Sequence, residues 1–110
     1  MSGGLVRLEQ ERLAERLVLR LCGEVDLSNV GWLERRIGVA VTDSPHVVID
    51  LSDVDYIDSQ GLRLLKQLSD VLSGEGARLQ LVAPPGRFAR GVLEMTRLDD
   101  DLEVLDLLAG

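Results

Sequence analysis

The fold of this chain is decided by residues 46–72, which read HVVIDLSDVDYIDSQGLRLLKQLSDVL. Residues 46–51 are rich in β-branched side chains, a pattern typical of a strand that is covered on both faces in a parallel sheet. From Leu62 onward, apolar residues recur at helical spacing, and charged or amide side chains fill the opposite face. The segment therefore predicts a central strand over 46–51 and an amphipathic helix over 60–73.

An acidic loop is predicted between this strand and this helix. It contains Asp53, Asp55 and Asp58, and Ser59 directly precedes the helix. Serine at that position is commonly an N-cap, whose side-chain oxygen accepts hydrogen bonds from the first backbone N–H groups. The residues alone favour a capping role for Ser59. They also place a hydroxyl beside several carboxylates.

The N-terminal half is predicted to form a hairpin followed by a helix. Residues 5–9 and 16–22 alternate apolar and polar side chains, which is typical of half-buried strands. Ser28 or Asn29 can cap a first helix. The apolar stripe of that helix follows helical spacing and consists of Val30, Leu33, Ile37, Ala40 and Val41.

The C-terminal part adds three more predicted elements. Residues 78–82 are a short apolar strand, and residues 84–86, Pro-Pro-Gly, turn the chain into a third helix. In that helix Phe88 falls on the inner stripe and is predicted to belong to the core. Residues 102–106 are predicted to add an edge strand.

Together these elements predict a single α/β domain with its core over about residues 5–106. The N-terminal hairpin and the alternating strands and helices should form a small mixed sheet with helices packed on it. Strand 46–51, helix 60–73 and strand 78–82 should make a right-handed crossover. Ser59 would then lie at the carboxyl end of a parallel strand, where α/β proteins usually place their sites.

Composition limits the possible partners. The chain has 12 Lys and Arg against 19 Asp and Glu, a formal charge of −7, which disfavours nucleic acid and anionic membranes. No apolar run approaches the ~20 residues of a membrane span. The N-terminus also lacks the features of a signal peptide. We therefore expect a cytoplasmic protein.

Few residues are candidates for catalysis or for metal binding. His46 is the only histidine, and its position at a strand start favours a structural role. Cys22 is the only cysteine and is predicted to be a small, buried strand residue. Asp26, Asp53, Asp55 and Asp58 could supply carboxylates to a metal, although such residues are usually only solvated. No cofactor is predicted.

The segment Asp58-Ser59-Gln60-Gly61-Leu62, preceded by VVIDLS, resembles the signature of the STAS domain, the family of bacterial anti-sigma factor antagonists. Gly23-Glu24-Val25-Asp26 resembles the family's segment ahead of the first helix, and the order of elements is similar from about residue 5 to about residue 105. The chain departs from the family pattern at Gln60 and Arg63, where Ser or Thr and glycine are frequent.

The resemblance implies a regulatory domain rather than an enzyme. In the family, the serine after the aspartate is phosphorylated by a partner kinase, so Ser59 is the implied phosphoacceptor. The implied partner is an anti-sigma factor that is also a serine/threonine kinase and holds the ATP. A phosphatase is a possible further partner. The residues expected on the partner-binding surface are Asp26, Asp58, Gly61, Leu62, Arg63 and Trp32.

Trp32 joins this set for a reason independent of the family. It lies away from the apolar stripe of the first helix, so it is either an interface anchor or a ring that folds over Arg36. Two other functions stay open. One is a scaffold or transport accessory subunit of the same family, in which Ser59 is not phosphorylated. The other is a small metal-dependent hydrolase that uses the acidic loop.

Overall fold

The computed structural model describes residues 5–108, which form a mixed five-stranded sheet and three α-helices. The strands are β1 (Val6–Leu13), β2 (Arg16–Val25), β3 (His46–Ile57), β4 (Arg78–Val82) and β5 (Glu103–Leu105), and the helices are α1 (Val30–Ala40), α2 (Ser59–Gly74) and α3 (Phe88–Met95). A short 3₁₀ turn, Leu98–Asp100, precedes β5. The predicted α/β class is confirmed.

The strand order is β1-β2-β3-β4-β5, with β1 antiparallel to β2 and every other neighbouring pair parallel. The predicted N-terminal hairpin is therefore present, and both of its strands are longer than predicted. Gly23 in β2 has φ +102°, and a Cβ there would lie 2.0 Å from the carbonyl oxygen of Leu5. Only glycine fits this close approach.

The main correction to the predicted elements concerns β3. Its pairing with β2 continues to Ile57, across two register shifts at which β3 has one residue more than β2, so Asp53 and Asp55 are strand residues and not loop residues. Only Asp58 lies between β3 and α2. Aspartate has a low strand propensity, but Val54 and Ile57 are buried and the ladder with β2 outweighs that preference.

The core lies on one face of the sheet, where all three helices pack. The most deeply buried large side chains of this layer include Leu19, Leu21, Leu33, Ile37, Ile49, Leu51, Leu65, Leu72, Leu81 and Leu93. A second, smaller cluster of Val18, Val48 and Val82 lies on the other face and contacts Leu13, Leu105 and Leu108. The main core therefore lies between the sheet and the three helices.

Two predicted core residues lie differently. Phe88 is 43% exposed, because it is the first residue of α3 and the inward stripe of that helix is carried by Ala89 and Leu93. The prediction that Phe88 belongs to the core is wrong. Cys22 lies in β2 as predicted, but it is half-buried rather than buried.

A polar network crosses the edge formed by β4 and β5. Arg78 forms two hydrogen bonds to the carboxylate of Glu103, Gln80 donates another at 2.6 Å, and His46 Nε2 lies 2.6 Å from Gln80 Oε1. These bonds, chiefly those from Arg78, lower the pKa of Glu103. His46 therefore has a structural role in this network. Within residues 5–108, no helix combines the length and apolar composition that a membrane crossing requires.

Candidate functional site

The candidate site is built around the first residues of α2, and its central side chain is Asp58. Asp58 has an extended backbone and occupies the N-cap position, with its Oδ1 accepting hydrogen bonds from the N–H groups of Gln60 (2.9 Å) and Gly61 (3.0 Å). Ser59 is already the first helical residue. The predicted capping role of Ser59 is therefore wrong. Aspartate and serine are both good N-caps, and adjacent in sequence they compete for one position.

The same carboxylate also holds the loop between β2 and α1. Asp58 Oδ2 accepts a hydrogen bond from the N–H of Leu27 at 3.1 Å, and the N–H of Asp58 donates to the carbonyl of Val25 at 3.1 Å. Residues separated by 31 positions are thus joined directly. The β2–α1 loop and the start of α2 form one continuous surface.

That loop has its own internal hydrogen bonds. Asp26 Oδ1 accepts from the N–H (3.0 Å) and hydroxyl (2.5 Å) of Ser28. The buried side chain of Asn29 accepts from the N–H of Asp26 and donates to the carbonyl of Glu24. Asn29 is at the N-cap position of α1, but its side chain stabilises the loop and does not cap the helix. Asp26 is therefore held on the same surface as Asp58.

The other predicted residues of the α2 start differ in exposure. Ser59 and Arg63 are exposed, whereas Leu62 is half-buried and packs against the core. Gly61 is buried, and a Cβ there would lie 2.6 Å from Cγ1 of Ile57 and 2.9 Å from Cγ1 of Val25. This packing by itself explains why the start of α2 requires a glycine. The close approach of a partner is not needed to explain it.

Trp32 is half-buried rather than fully outward. Its ring packs beside the core, and the guanidinium carbon of Arg36 lies 5.1 Å from the ring centroid. A guanidinium within about 6 Å of an aromatic centroid is attracted by the ring quadrupole. The contact with Arg36 is therefore present, and a role of Trp32 at an interface stays a prediction.

Three apolar residues near this surface were not among the predicted site residues. Leu27 is 71% exposed at the loop that Asp58 holds, and the rings of Tyr56 and Phe88 lie 6.0 Å apart with 46% and 43% exposure. Tyr56 faces outward because β3 continues beyond its predicted end. The sequence did not indicate this exposure, because the period-2 pattern alone does not show where a strand ends.

The acidic residues do not gather into a metal site in the part of the chain that the structure describes. Residues 5–108 contain no group of three His, Cys, Asp or Glu side chains placed to hold a metal ion. Asp26 and Asp58 instead accept hydrogen bonds from loop and helix groups.

The sequence model of one protein family, the STAS domain, matches residues 7–108. This chain belongs to the STAS family. The match covers nearly all of the described residues, including the β2–α1 loop and the start of α2. The family predicted from the sequence is confirmed.

Individual relatives of this STAS chain agree with the family match. The anti-sigma-F factor antagonist RsfB of Mycobacterium tuberculosis is 35% identical over 92 residues, which are 83% of this chain and 74% of that protein. The crystal structure of an anti-sigma factor antagonist from Mycobacterium paratuberculosis has a TM-score of 0.83 and 29% identity, and the match covers 98% of this chain and 92% of that one.

A more distant solved structure shares the fold. The Bacillus cell fate determinant SpoIIAA in its phosphorylated form has a TM-score of 0.67 and 22% identity, with 90% of this chain and 91% of that chain covered. The five strands and three helices described above are therefore the common architecture of this group.

Proposed function

We propose that this STAS domain is an anti-sigma factor antagonist. In its unphosphorylated form it binds an anti-sigma factor and so frees the sigma factor that the anti-sigma factor holds. The similarity to two mycobacterial proteins that carry this name supports the proposal. The domain acts by binding and is itself the substrate of its partner, so it is not an enzyme.

The exposed hydroxyl of Ser59 carries the second part of the proposal, which is that Ser59 is the phosphoacceptor. Asp58 performs the capping, and within residues 5–108 the Ser59 hydroxyl forms no hydrogen bond with another described group. The fold therefore does not need this hydroxyl. A kinase can use it without breaking a structural contact.

A phosphate at Ser59 would change the surface more than the fold. It would add close to two negative charges beside Asp58. The N–H groups of Gln60 and Gly61 already donate to Asp58, so they are not free to bind the phosphate. The added charge would face solvent or a partner. A partner matched to the neutral hydroxyl would then meet repulsion and a desolvation cost.

The proposed partner surface consists of the Asp58-held loop and the first turn of α2. Asp26 and Asp58 contribute negative charge, and Leu62 and Arg63 extend the surface along the helix. Gly61 is buried beneath this surface, and its tight packing sets the position of the first turn of α2. Trp32 contributes from α1 beside Arg36.

The proposed cycle needs two activities that this chain does not supply. The anti-sigma factor holds ATP, and the γ-phosphoryl group of that ATP is transferred to the Ser59 oxygen. The hydroxyl loses its proton, the phosphate ester forms and ADP leaves. A phosphatase hydrolyses that ester and returns the binding form. No cofactor belongs to this chain in the cycle.

The binding step is tested with the purified anti-sigma factor from the same organism, loaded with its sigma factor. Addition of the unphosphorylated domain should release the sigma factor, as measured by size-exclusion chromatography of the mixture. Asp99→Lys, a charge change at the exposed 3₁₀ turn, is the matched control and should release it equally well. Binding of the domain without sigma release, or no binding, would instead favour the scaffold or transport accessory role.

A further inference from the structure

A groove unrelated to Ser59 runs between α1 and the last three turns of α2. It encloses about 770 Å³. Its apolar part includes Val41, Leu64, Leu68 and Val71, and Val71 is 57% exposed at its edge. Gly38 of α1 faces this space, and a Cβ there would meet nothing within 4 Å. The groove is open because α1 presents no side chain at this position.

The charged residues that line the groove all carry the same sign. They are Glu34, Asp43 and Glu75, and no lysine or arginine lines the groove. None of these three carboxylates belongs to an ion pair between described residues, whereas other acidic side chains of the domain, such as Asp50 and Glu103, are paired with arginine. The groove therefore combines an apolar bed with unneutralised negative charge.

We propose that this groove binds small amines that have an apolar body. The ammonium group would lie beside one of the lining carboxylates, Glu34, Asp43 or Glu75, and the apolar body would cover Leu68 and Val71. A cation beside a carboxylate at an apolar wall gains more electrostatic energy than it does in bulk water. Burial of the apolar body adds hydrophobic free energy in proportion to its area.

The size of the groove favours a small molecule over a protein segment. Ligand pockets typically enclose roughly 300–1,000 Å³. The loops that follow α1 and α2, residues 42–45 and 75–77, both contribute to the lining. The lining therefore comes from both helices and from both loops, within a volume typical of a small-molecule site.

The proposal is tested by NMR titration of the isotope-labelled domain with 2-naphthylmethylamine, which is a cation at pH 7. Saturable shifts confined to the groove-lining amides are expected at concentrations below about 1 mM. Two probes with the same ring separate the contributions: 2-naphthylacetate, an anion, should bind at least tenfold more weakly, and neutral 2-naphthylmethanol should lie between them.

Two variants locate the site. Glu34→Lys combined with Glu75→Lys should weaken amine binding at least tenfold, because both residues are exposed and their reversal places cations at the rim. Gly38→Leu should weaken all three probes, since its side chain fills the groove. Asp99→Lys should change nothing. Equal binding of the anion, shifts outside the groove, or unchanged binding in both groove variants would overturn the proposal. This test does not involve an anti-sigma factor, so its failure leaves the proposed function intact.

Discussion

The first turns of α2 and α3 are stabilised by different contacts. Both helices begin after a parallel strand on the same side of the sheet, but α2 begins with a side-chain cap from Asp58, and α3 begins after Arg87, which makes no side-chain cap. Gly61 in α2 is packed against two side chains, whereas a Cβ at Gly91 in α3 would meet nothing within 4 Å. The start of α2 is therefore held by a side-chain cap and by close packing at Gly61, whereas that of α3 is held by Arg90, which donates to a backbone carbonyl of the preceding segment. We infer that the capped and tightly packed start of α2 serves the partner surface.

The largest expected effect comes from the two glycines. Gly61→Ala should destabilise the domain by about 1–3 kcal/mol, because the added methyl group must displace Ile57 and Val25. Gly91→Ala should stabilise it by up to about 1 kcal/mol, because alanine has the higher helix propensity and the site is open. Urea unfolding of both variants checks this. If both changes stabilise the domain, the packing at Gly61 does not distinguish the two helix starts.

The next effect concerns the caps. Asp58→Ala should cost about 1–2 kcal/mol, because Gln60 and Gly61 lose their acceptor. The N–H of Leu27 loses its acceptor as well. Arg87→Ala should have almost no effect on the free energy of unfolding. Hydrogen exchange should also show faster exchange at Leu27 in Asp58→Ala. Unchanged protection at Leu27 would mean that Asp58 does not hold the loop.

A smaller effect on stability is expected at the sheet edge, where Arg78 and Glu103 form an ion pair. The pKa of Glu103 is lowered in the folded state, mainly by its hydrogen bonds to Arg78, so its contribution to stability is present above the ordinary glutamate pKa of about 4.3 and is lost as the pH falls through the lowered value. Glu103→Gln should cost less than about 1 kcal/mol at pH 7, since the pair is largely exposed.

Urea midpoints measured from pH 7 to pH 3 check this dependence. The difference between wild type and Glu103→Gln should shrink in the acidic range. Glu15→Gln, at the exposed β1–β2 turn, serves as the control and should show no comparable change. A difference that is constant with pH would show that the Arg78–Glu103 pair contributes nothing through its charge.

The smallest expected effect is at Ser59 itself. Ser59→Ala should change the free energy of unfolding by no more than about 0.5 kcal/mol, because Asp58 supplies the cap and Ser59 is an exposed residue. Thermal unfolding monitored by circular dichroism measures it. A loss close to that of Asp58→Ala would place Ser59 among the structural residues of the helix start.

Much of the fold was predictable because it depends on periodicity. Helical spacing identified α1 and α2, and the apolar run at 46–51 identified the central strand, so the α/β class and the mixed sheet followed. The end of β3 was not predictable, because its last residues include Asp53 and Asp55. Their strand conformation is imposed by pairing with β2, a contact distant in sequence.

The site was predictable as a location but not in its assignments. The motif placed Asp58 and Ser59 at the start of a helix, where both occur. Which of them caps depends on the backbone angles of one residue, and the link from Asp58 to Leu27 depends on tertiary structure. The exposure of Phe88 likewise depends on where α3 begins, a boundary that a proline- and glycine-rich turn leaves uncertain within one or two residues.

The central claim is that the fold does not need the Ser59 hydroxyl and that phosphorylation of this hydroxyl switches partner binding off. It is tested most directly by incubation of the domain with the anti-sigma factor kinase and ATP, followed by fragmentation mass spectrometry and a binding titration of the phosphorylated product. The account predicts one phosphate on Ser59, a native circular dichroism spectrum and at least a tenfold loss of affinity, about 1.4 kcal/mol. Phosphate on another residue, or undiminished affinity of the Ser59-phosphorylated domain, would contradict it.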